Sequence, residues 1–235
     1  MPGPLALVGS GEYLPVMAGV EAALLDGRPP RYVQLATAAA PEGDASLARW
    51  HRLGREQAER LGVQQVVVDV RDRTGANDPA MAALVAGAGL VYLSGGNPTY
   101  LAQALRDTVV WQAIHRAWTA GAALAGCSAG AMALTGWVPS IRSLGSHPDP
   151  GLALLPHLRV LPHFDRMLGR FPDLLTRALV RSAEGVTVLG IDEDTALVGG
   201  PEEWTVRGRQ SVWMLGDGSR KELPVDTQLV TPLGH

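Results

Sequence analysis

Short runs of consecutive apolar residues alternate with longer segments of helical periodicity between Leu5 and Thr135. The runs have the length of β-strands, and those at 5–8, 90–93 and 122–125 are bounded by glycine, proline or serine. The apolar runs lie at 5–8, 32–36, 66–70, 90–93 and 122–125. Strands that are apolar throughout, rather than alternately apolar and polar, are typical of parallel sheets covered on both faces. The pattern therefore predicts an α/β fold with a mostly parallel, doubly wound sheet.

The segments between these runs predict helices, and several carry residues that begin or end helices. The predicted helices lie at 17–25, 46–61 and 79–86, with one or two more between 98 and 118. Asp78 is placed to cap the third helix, and Pro98 suits the first turn of the next. Gly62 follows the second helix and is expected to stop it. Helices in these positions would connect successive parallel strands.

The character of the chain changes after Thr135. The stretch 138–156 is rich in proline, glycine and serine, which predicts a long loop. Three further elements are predicted beyond it, two strands at 159–161 and 186–189 and a helix at 171–183. From Asp194 onward, short β-type runs separated by turn residues predict an antiparallel region. No interdomain linker interrupts the pattern, so we expect residues 1–235 to form a single domain.

Composition narrows the class of protein. Of the 235 residues, 46% are hydrophobic and 18% are charged, which suits a domain with a full core. The net charge of −3 offers no basic surface for a nucleic acid. The single cysteine, Cys127, excludes an internal disulfide and a cysteine-rich metal site. We see no signal peptide and no run long enough to span a bilayer, so we expect a cytoplasmic protein without membrane contact.

The pentapeptide 126–130 reads G-x-S-x-G and lies between a predicted strand and a helix-compatible run. A strand that enters a helix through such a turn exposes the serine at its apex, and the small neighbours avoid a clash. The N–H of the residue after the serine also faces the space where an oxyanion would form. Ser128 is therefore a candidate nucleophile. Cys127 occupies only an x position of this motif.

A serine nucleophile needs a general base, usually a histidine held by a carboxylate. His51 and His115 lie in predicted helices, and His235 is the terminal residue. The remaining candidates are His147, His157 and His163. We favour His163 because it closely follows a predicted strand, and sites in open α/β sheets collect at the carboxyl ends of strands.

The carboxylate candidate is Glu193, within the acidic stretch 192–194 that follows another predicted strand. If Glu193 faces the site, its two acidic neighbours face away, because strand side chains alternate. We expect Ser128, His163 and Glu193 to meet at one rim of one sheet. Their order along the chain disfavours an α/β-hydrolase, in which the acid precedes the histidine.

Together, these features resemble the dipeptidase E and cyanophycinase family of serine peptidases. The similarity extends from about Leu5 to Leu197 and rests on the order and spacing of several motifs. These are Gly9-Ser10-Gly11-Glu12, Gly95-Gly96-Asn97, Gly126 to Ala131, His163-Phe164 followed by Arg166 and Arg170, and Gly190-Ile191-Asp192-Glu193 with Thr195-Ala196-Leu197.

The resemblance implies a fold similar to class I glutamine amidotransferases, with a serine in place of the cysteine nucleophile. It implies a catalytic triad of Ser128, His163 and Glu193. It also implies oxyanion donors at the backbone N–H groups of Gly96 and Ala129. No metal or cofactor is expected, because hydrolysis by such a triad requires neither.

The resemblance further implies a short peptide as substrate, cleaved in a dipeptidase or exopeptidase mode with an aspartyl preference. Arg166 and Arg170 are candidates for binding a substrate carboxylate, and Asn97 is a third candidate for substrate binding. Cyanophycinase-like or carboxypeptidase-like specificity stays open, as does a non-catalytic, amidotransferase-like binding protein. A glutaminase subunit is disfavoured because the turn carries serine. Analogy with the family suggests a homodimer.

Overall fold

The structure, a computed structural model, describes residues 1–138, 149–168, 185–216 and 219–233. In those ranges the helices, α1 to α8, are Ala18–Leu25, Asp44–Leu61, Arg73–Ala76, Pro79–Ala83, Pro98–Leu105, Val109–Thr119, Ala129–Ala133 and Phe164–Leu168. The strands, β1 to β14, are Leu5–Val8, Arg31–Leu35, Gln64–Val67, Leu90–Leu93, Ala123–Cys127, Trp137–Val138, Asp149–Pro150, Leu158–Leu161, Thr187–Ile191, Thr195–Gly199, Glu203–Gly208, Val212–Gly216, Ser219–Leu223 and Gln228–Val230.

Eight strands form the larger sheet, in the order β14-β11-β10-β1-β5-β4-β2-β3. The five strands from β1 to β3 in this order are parallel to one another. Strands β10, β11 and β14 extend the sheet beyond β1 in antiparallel fashion. This confirms the predicted α/β class, with a mostly parallel centre and antiparallel C-terminal strands. Because β1, β5 and β4 are adjacent and parallel, the turns that follow them meet at one edge of the sheet.

The central strands are buried on both faces of this sheet. Every residue of β1, β4 and β5 is buried. Along β1, Leu5 and Leu7 belong to one apolar cluster, whereas Ala6 and Val8 belong to another. The first cluster includes residues of α5 and α6, and the second includes residues of α1 and α2. Helices therefore cover both faces, which is why these strands are apolar throughout.

The strands before His163 and Glu193 lie in a second sheet. Strands β8 and β9 are parallel to each other, and the order of this sheet is β13-β12-β9-β8. The expectation that all candidate side chains meet at the rim of one sheet is therefore wrong. Val160 and Leu189 share the apolar cluster that contains Leu5 and Leu7, so the second sheet packs on the first. A short apolar strand buries its side chains equally well in either sheet, and the sequence pattern does not distinguish them.

Most helices and strands end within a few residues of the positions predicted from local sequence signals. The Asn97 side chain accepts a hydrogen bond from the Tyr100 N–H at 2.9 Å and caps α5. The strand predicted at 66–70 instead ends at Val67. Beyond Val67 the chain makes a tight turn, in which the N–H of residue 70 donates to the carbonyl of residue 68.

Two predicted segments fall wholly or partly outside the described residues. The helix predicted at 171–183 is one, and most of the loop predicted at 138–156 is the other. Strand β6, which contains the first residue of that predicted loop, pairs with β7 at Asp149–Pro150 within it. In the part of the chain that the structure describes, no helix combines the length and hydropathy needed to cross a bilayer.

Glu21 of α1 is an acidic side chain in the apolar layer under the sheet, with 1% of its surface exposed. Its Oε2 accepts a hydrogen bond from the Tyr32 hydroxyl at 2.9 Å. Burial disfavours the charged carboxylate and raises the pKa of Glu21 from 4.5 to about 7, although the Tyr32 hydrogen bond partly opposes this. The folded chain therefore holds this proton at a pH where the unfolded chain has lost it.

We expect the free energy of unfolding to fall as the pH rises from 4.5 towards 7, because the unfolded chain binds fewer protons in that window. Urea unfolding at pH 5 and pH 8 measures the effect. Between these values, the wild type should lose about 2–3 kcal/mol more stability than the Glu21→Gln variant, whose amide does not titrate. Equal losses in the two proteins would show that Glu21 does not hold this proton.

Candidate active site

Ser128 lies in a sharp turn between β5 and α7. Its backbone has φ 48° and ψ −105°, a conformation that non-glycine residues seldom adopt. Its N–H donates to the Val8 carbonyl at 2.9 Å, which ties the turn to the neighbouring strand β1. The turn projects the Ser128 side chain from the carboxyl edge of the sheet, where it is half-buried.

The two glycines of the G-x-S-x-G motif allow this turn to close. A Cβ atom at Gly126 would lie 2.5 Å from the carbonyl carbon of Gly130. A Cβ at Gly130 would lie 2.3 Å from the Leu93 oxygen, at the end of β4. Both positions thus require glycine because backbone approaches backbone. The two glycines of the motif are therefore explained by the close packing of backbone around the turn.

Ser128, His163 and Glu193 form a continuous chain of hydrogen bonds. The Ser128 Oγ lies 3.1 Å from the His163 Nε2. The His163 Nδ1 lies 2.8 Å from the Glu193 Oε1. Since a carboxylate only accepts, the neutral ring carries its proton on Nδ1 and accepts the Ser128 hydroxyl proton at Nε2. The structure therefore brings together the nucleophile, base and acid candidates that the sequence suggests.

His163 and Glu193 reach Ser128 from the second sheet. Strands β8 and β9 pair with Leu161 opposite Gly190, so the residues after each strand are neighbours. Asp165 links the segment after β8 to the segment after β9, because its Oδ1 accepts a hydrogen bond from the Glu193 N–H at 3.0 Å. The acidic neighbours of Glu193 face elsewhere. Asp192 accepts from the Trp213 indole, and Asp194 lies 3.3 Å from an Arg209 nitrogen.

Arg166 contacts the other oxygen of the same carboxylate. Its Nε lies 2.8 Å from the Glu193 Oε2, and 71% of the Arg166 side chain is exposed. The sequence suggested Arg166 as a substrate-binding residue and gave no sign of this contact. Arg170, the second suggested arginine, lies outside the described residues. The Asn97 side-chain oxygen caps α5, as described above.

The predicted oxyanion donors flank Ser128 on adjacent turns. A Cβ at Gly95 would lie 3.6 Å from the Ser128 Cβ, so the turn after β4 abuts the serine. Gly96 is exposed and has φ 136°, and a Cβ there would lie 2.4 Å from the Ala38 oxygen. Ala129 is the first residue of α7. In the described part of the chain, no hydrogen bond occupies the N–H of Gly96 or of Ala129.

Cys127 is fully buried beside Ser128. Its Sγ lies 2.8 Å from the Glu12 Oε2. Burial and the neighbouring Glu12 raise the pKa of the Cys127 thiol well above its ordinary value. A protonated, inaccessible thiol is a poor nucleophile, in agreement with its x position in the motif.

The other histidine candidates do not approach Ser128 within the described residues. His157 is buried, and its Nε2 lies 3.0 Å from the Pro201 carbonyl oxygen. His147 lies outside the described ranges. Two residues that sequence reasoning missed, Glu12 and Asp165, contact the candidate site. Glu12 stood only as part of a glycine-rich motif, and no sequence signal pointed to Asp165.

A parallel α/β sheet with a serine turn at its carboxyl edge is the arrangement of hydrolases that use a serine nucleophile. Comparison with known families makes this class specific, because residues 48–206 match the model described as Peptidase family S51. The chain therefore belongs to peptidase family S51, a family of serine peptidases.

Curated relatives agree with this family. The chain is 32% identical over 186 residues to a cyanophycinase from Synechococcus elongatus, an alignment that covers 74% of this chain and 55% of the relative. It is 30% identical over 166 residues to a cyanophycinase from Trichormus variabilis, with 66% of this chain and 54% of that protein covered. The chain thus spans about half the length of the curated relatives it matches.

Solved structures give the same result for the fold. A crystal structure of a peptidase from an acI-B1 Actinobacterium matches with a TM-score of 0.90 and 38% identity, covering 98% of this chain and 97% of that one. A putative peptidase E protein from Listeria monocytogenes matches with a TM-score of 0.62 and 17% identity, covering 89% and 100%. At that lower identity the second likeness concerns the fold alone.

Proposed function

We propose that this chain is a serine peptidase that hydrolyses short peptides, with Ser128 as nucleophile, His163 as general base and Glu193 as the orienting acid. The observation that supports this best is the unbroken contact from the Ser128 Oγ through the His163 ring to the Glu193 Oε1, at 3.1 and 2.8 Å. Membership in a serine peptidase family agrees with it.

In the proposed reaction, the His163 Nε2 takes the Ser128 proton as the Oγ attacks the carbonyl carbon of the peptide bond. The C–N bond then breaks, and His163 gives its proton to the departing amine. This leaves an acyl ester on Ser128. A water molecule, deprotonated by His163, hydrolyses the ester and restores the serine. Glu193 holds the ring and stabilises its charged form at each step.

The oxyanion of each tetrahedral intermediate is held by the N–H groups of Gly96 and Ala129. Both belong to turns that abut Ser128, and neither has another hydrogen-bond partner in the described residues. Two preorganised donors at a developing negative charge contribute strongly to catalysis, because they need no reorientation during the reaction.

The substrate we favour is a dipeptide or other short peptide with an acidic residue near the cleaved bond. Arg166 supports this choice. Its Nε contacts Glu193, and the guanidinium of this exposed side chain carries further N–H groups that can donate to a substrate carboxylate. Arg170 and Asn97 are the other proposed substrate contacts. The two cyanophycinases favour a second candidate, cleavage of β-linked aspartyl peptides.

A related proposal concerns ancestry. We infer a relationship to the class I glutamine amidotransferase fold, with Ser128 at the position of the cysteine nucleophile. The location of the turn after a central parallel strand supports this inference.

We also propose that residues 1–235 form one domain, since a single apolar cluster includes strands of both sheets.

Two measurements test the proposed function. A fluorophosphonate probe should label wild-type Ser128, identified by mass spectrometry of the digested protein, since only an activated hydroxyl reacts. A library of dipeptides and tripeptides that includes aspartyl and isoaspartyl members, with product identification, should then reveal the cleaved bond. Release of C-terminal residues alone would indicate a carboxypeptidase, and cleavage of isoaspartyl peptides alone a cyanophycinase-like enzyme. A chain that neither labels nor cleaves any peptide would be a binding protein.

A further inference from the structure

Glu12 connects the two turns that carry the proposed oxyanion donors. It belongs to the segment after β1, and only 7% of its surface is exposed. Its Oε1 accepts the Gly95 N–H at 2.8 Å, on the turn after β4. Its Oε2 lies 2.8 Å from the Sγ of Cys127, the last residue of β5, which leads directly into the turn at Ser128. One buried carboxylate therefore accepts hydrogen bonds from the turn after β4 and from the residue that precedes the turn after β5.

The topology explains why a single side chain can do this. Strands β1, β5 and β4 are consecutive neighbours in the sheet, and their carboxyl ends lie at one edge. The turns after β4 and β5 have no direct backbone hydrogen bond to each other among the described residues. The turn after β4 is held at its ends by backbone bonds from the Ser94 N–H to the Leu35 carbonyl and from the Asn97 N–H to the Ala38 carbonyl. Between these ends the Gly95 N–H donates to Glu12, whose carboxylate spans the gap to Cys127.

We propose that Glu12 is a positioning residue that sets the distance between the Gly96 and Ala129 N–H groups. Gly96 directly follows the residue that donates to Glu12, and Ala129 lies two residues after Cys127. A shift of the Gly95 turn would move one donor relative to the other, and stabilisation of an oxyanion depends on both. This inference rests on the proposed function.

The same segment has a second anchor that does not use Glu12. The Tyr13 hydroxyl lies 2.6 Å from the Ser94 Oγ, and the Tyr13 ring packs against Tyr92 with centroids 5.1 Å apart. Variants of Glu12 therefore keep a tie between the segment after β1 and the turn after β4. Because of these Tyr13 contacts, we expect Glu12 variants to stay folded while the Gly96 and Ala129 N–H groups change their relative position.

The test uses Glu12→Met, Glu12→Gln and Glu12→Asp in the full chain. Methionine has a similar length but accepts no hydrogen bond of comparable strength. Glutamine keeps an oxygen for the Gly95 N–H. Aspartate is shorter by one bond, about 1.5 Å, and cannot reach both turns. The control is Glu56→Gln, which changes an exposed glutamate of α2.

We expect kcat for the best dipeptide of the library to fall at least about 30-fold in Glu12→Met, with KM changed less than threefold, because loss of one oxyanion donor costs about 10²–10³-fold. Affinity for the amino aldehyde matching the acyl half of that dipeptide should fall in parallel, since its adduct oxygen occupies the same donors. Glu12→Gln should stay within about fivefold of wild type, and the pH profile of kcat should not move.

Several outcomes would overturn this role for Glu12. Full activity in Glu12→Met is one, and a loss of activity without a matching loss of aldehyde affinity is another. If circular dichroism shows that Glu12→Met is unfolded, Glu12→Asp carries the test, and unchanged aldehyde affinity there refutes the proposal. An inactive wild type that also fails to label would instead refute the proposed function.

Discussion

Replacing Ser128 by alanine is expected to abolish peptide hydrolysis, with kcat lowered by roughly 10⁶-fold, because among the described residues Ser128 is the nucleophile in contact with His163. Cys127 cannot substitute, since it is buried and its raised pKa keeps it protonated. Steady-state kinetics on the best dipeptide of the library measures the loss. The fluorophosphonate probe should leave no mass increase on the variant.

The fold should survive this change, because alanine preserves the backbone and the small volume of the turn. Equal melting temperatures within a few degrees would show this. Ser46→Ala, a change at a half-buried serine of α2, is the matched control and should keep full activity. Turnover by Ser128→Ala at the wild-type rate would remove Ser128 from the reaction and with it the proposed triad.

Glu193→Gln is expected to lower kcat by about 10⁴-fold while dipeptide binding persists. A glutamine can turn an N–H towards the His163 Nδ1, which would place the ring proton on Nε2. That nitrogen would then no longer accept the Ser128 proton. The amide also lacks the charge that stabilises the protonated ring. Pre-steady-state and steady-state kinetics with the same dipeptide give the size of the effect.

Asp194→Asn is the matched control, because it removes the charge of an adjacent acidic residue that faces Arg209 instead of the site. Its kcat should stay within about threefold of wild type, as expected for an exposed ion pair. If Asp194→Asn and Glu193→Gln lose activity equally, the effect would come from the charge of the 192–194 stretch as a whole, and Glu193 would have no special role.

Much of the larger sheet was predictable from local pattern. Strands β1, β4 and β5 are apolar at almost every position because helices cover both of their faces. Their ends carry glycine or asparagine, which mark turns through backbone freedom or capping. Ser128 and its turn could be predicted for the same reason, since a sharp strand-to-helix turn restricts residue size over five consecutive positions.

The remainder of the site depends on contacts between distant segments. His163 was preferred to His157 only by its position after a strand, and both residues follow short apolar stretches. The structure separates them, because one ring meets Ser128 and the other meets the Pro201 carbonyl. The contact of Arg166 with Glu193 gave no local signal, since the two residues lie 27 positions apart in the chain.

The sequence by itself determined the α/β class, the serine turn and the three side chains proposed to act together, because strand burial and turn geometry restrict residue type locally. Only the tertiary structure decided that His163 and Glu193 come from a second sheet and that Glu12 links the turns around Ser128. Side-chain partners across strands depend on how sheets pack and align, and the same apolar pattern is compatible with several such packings.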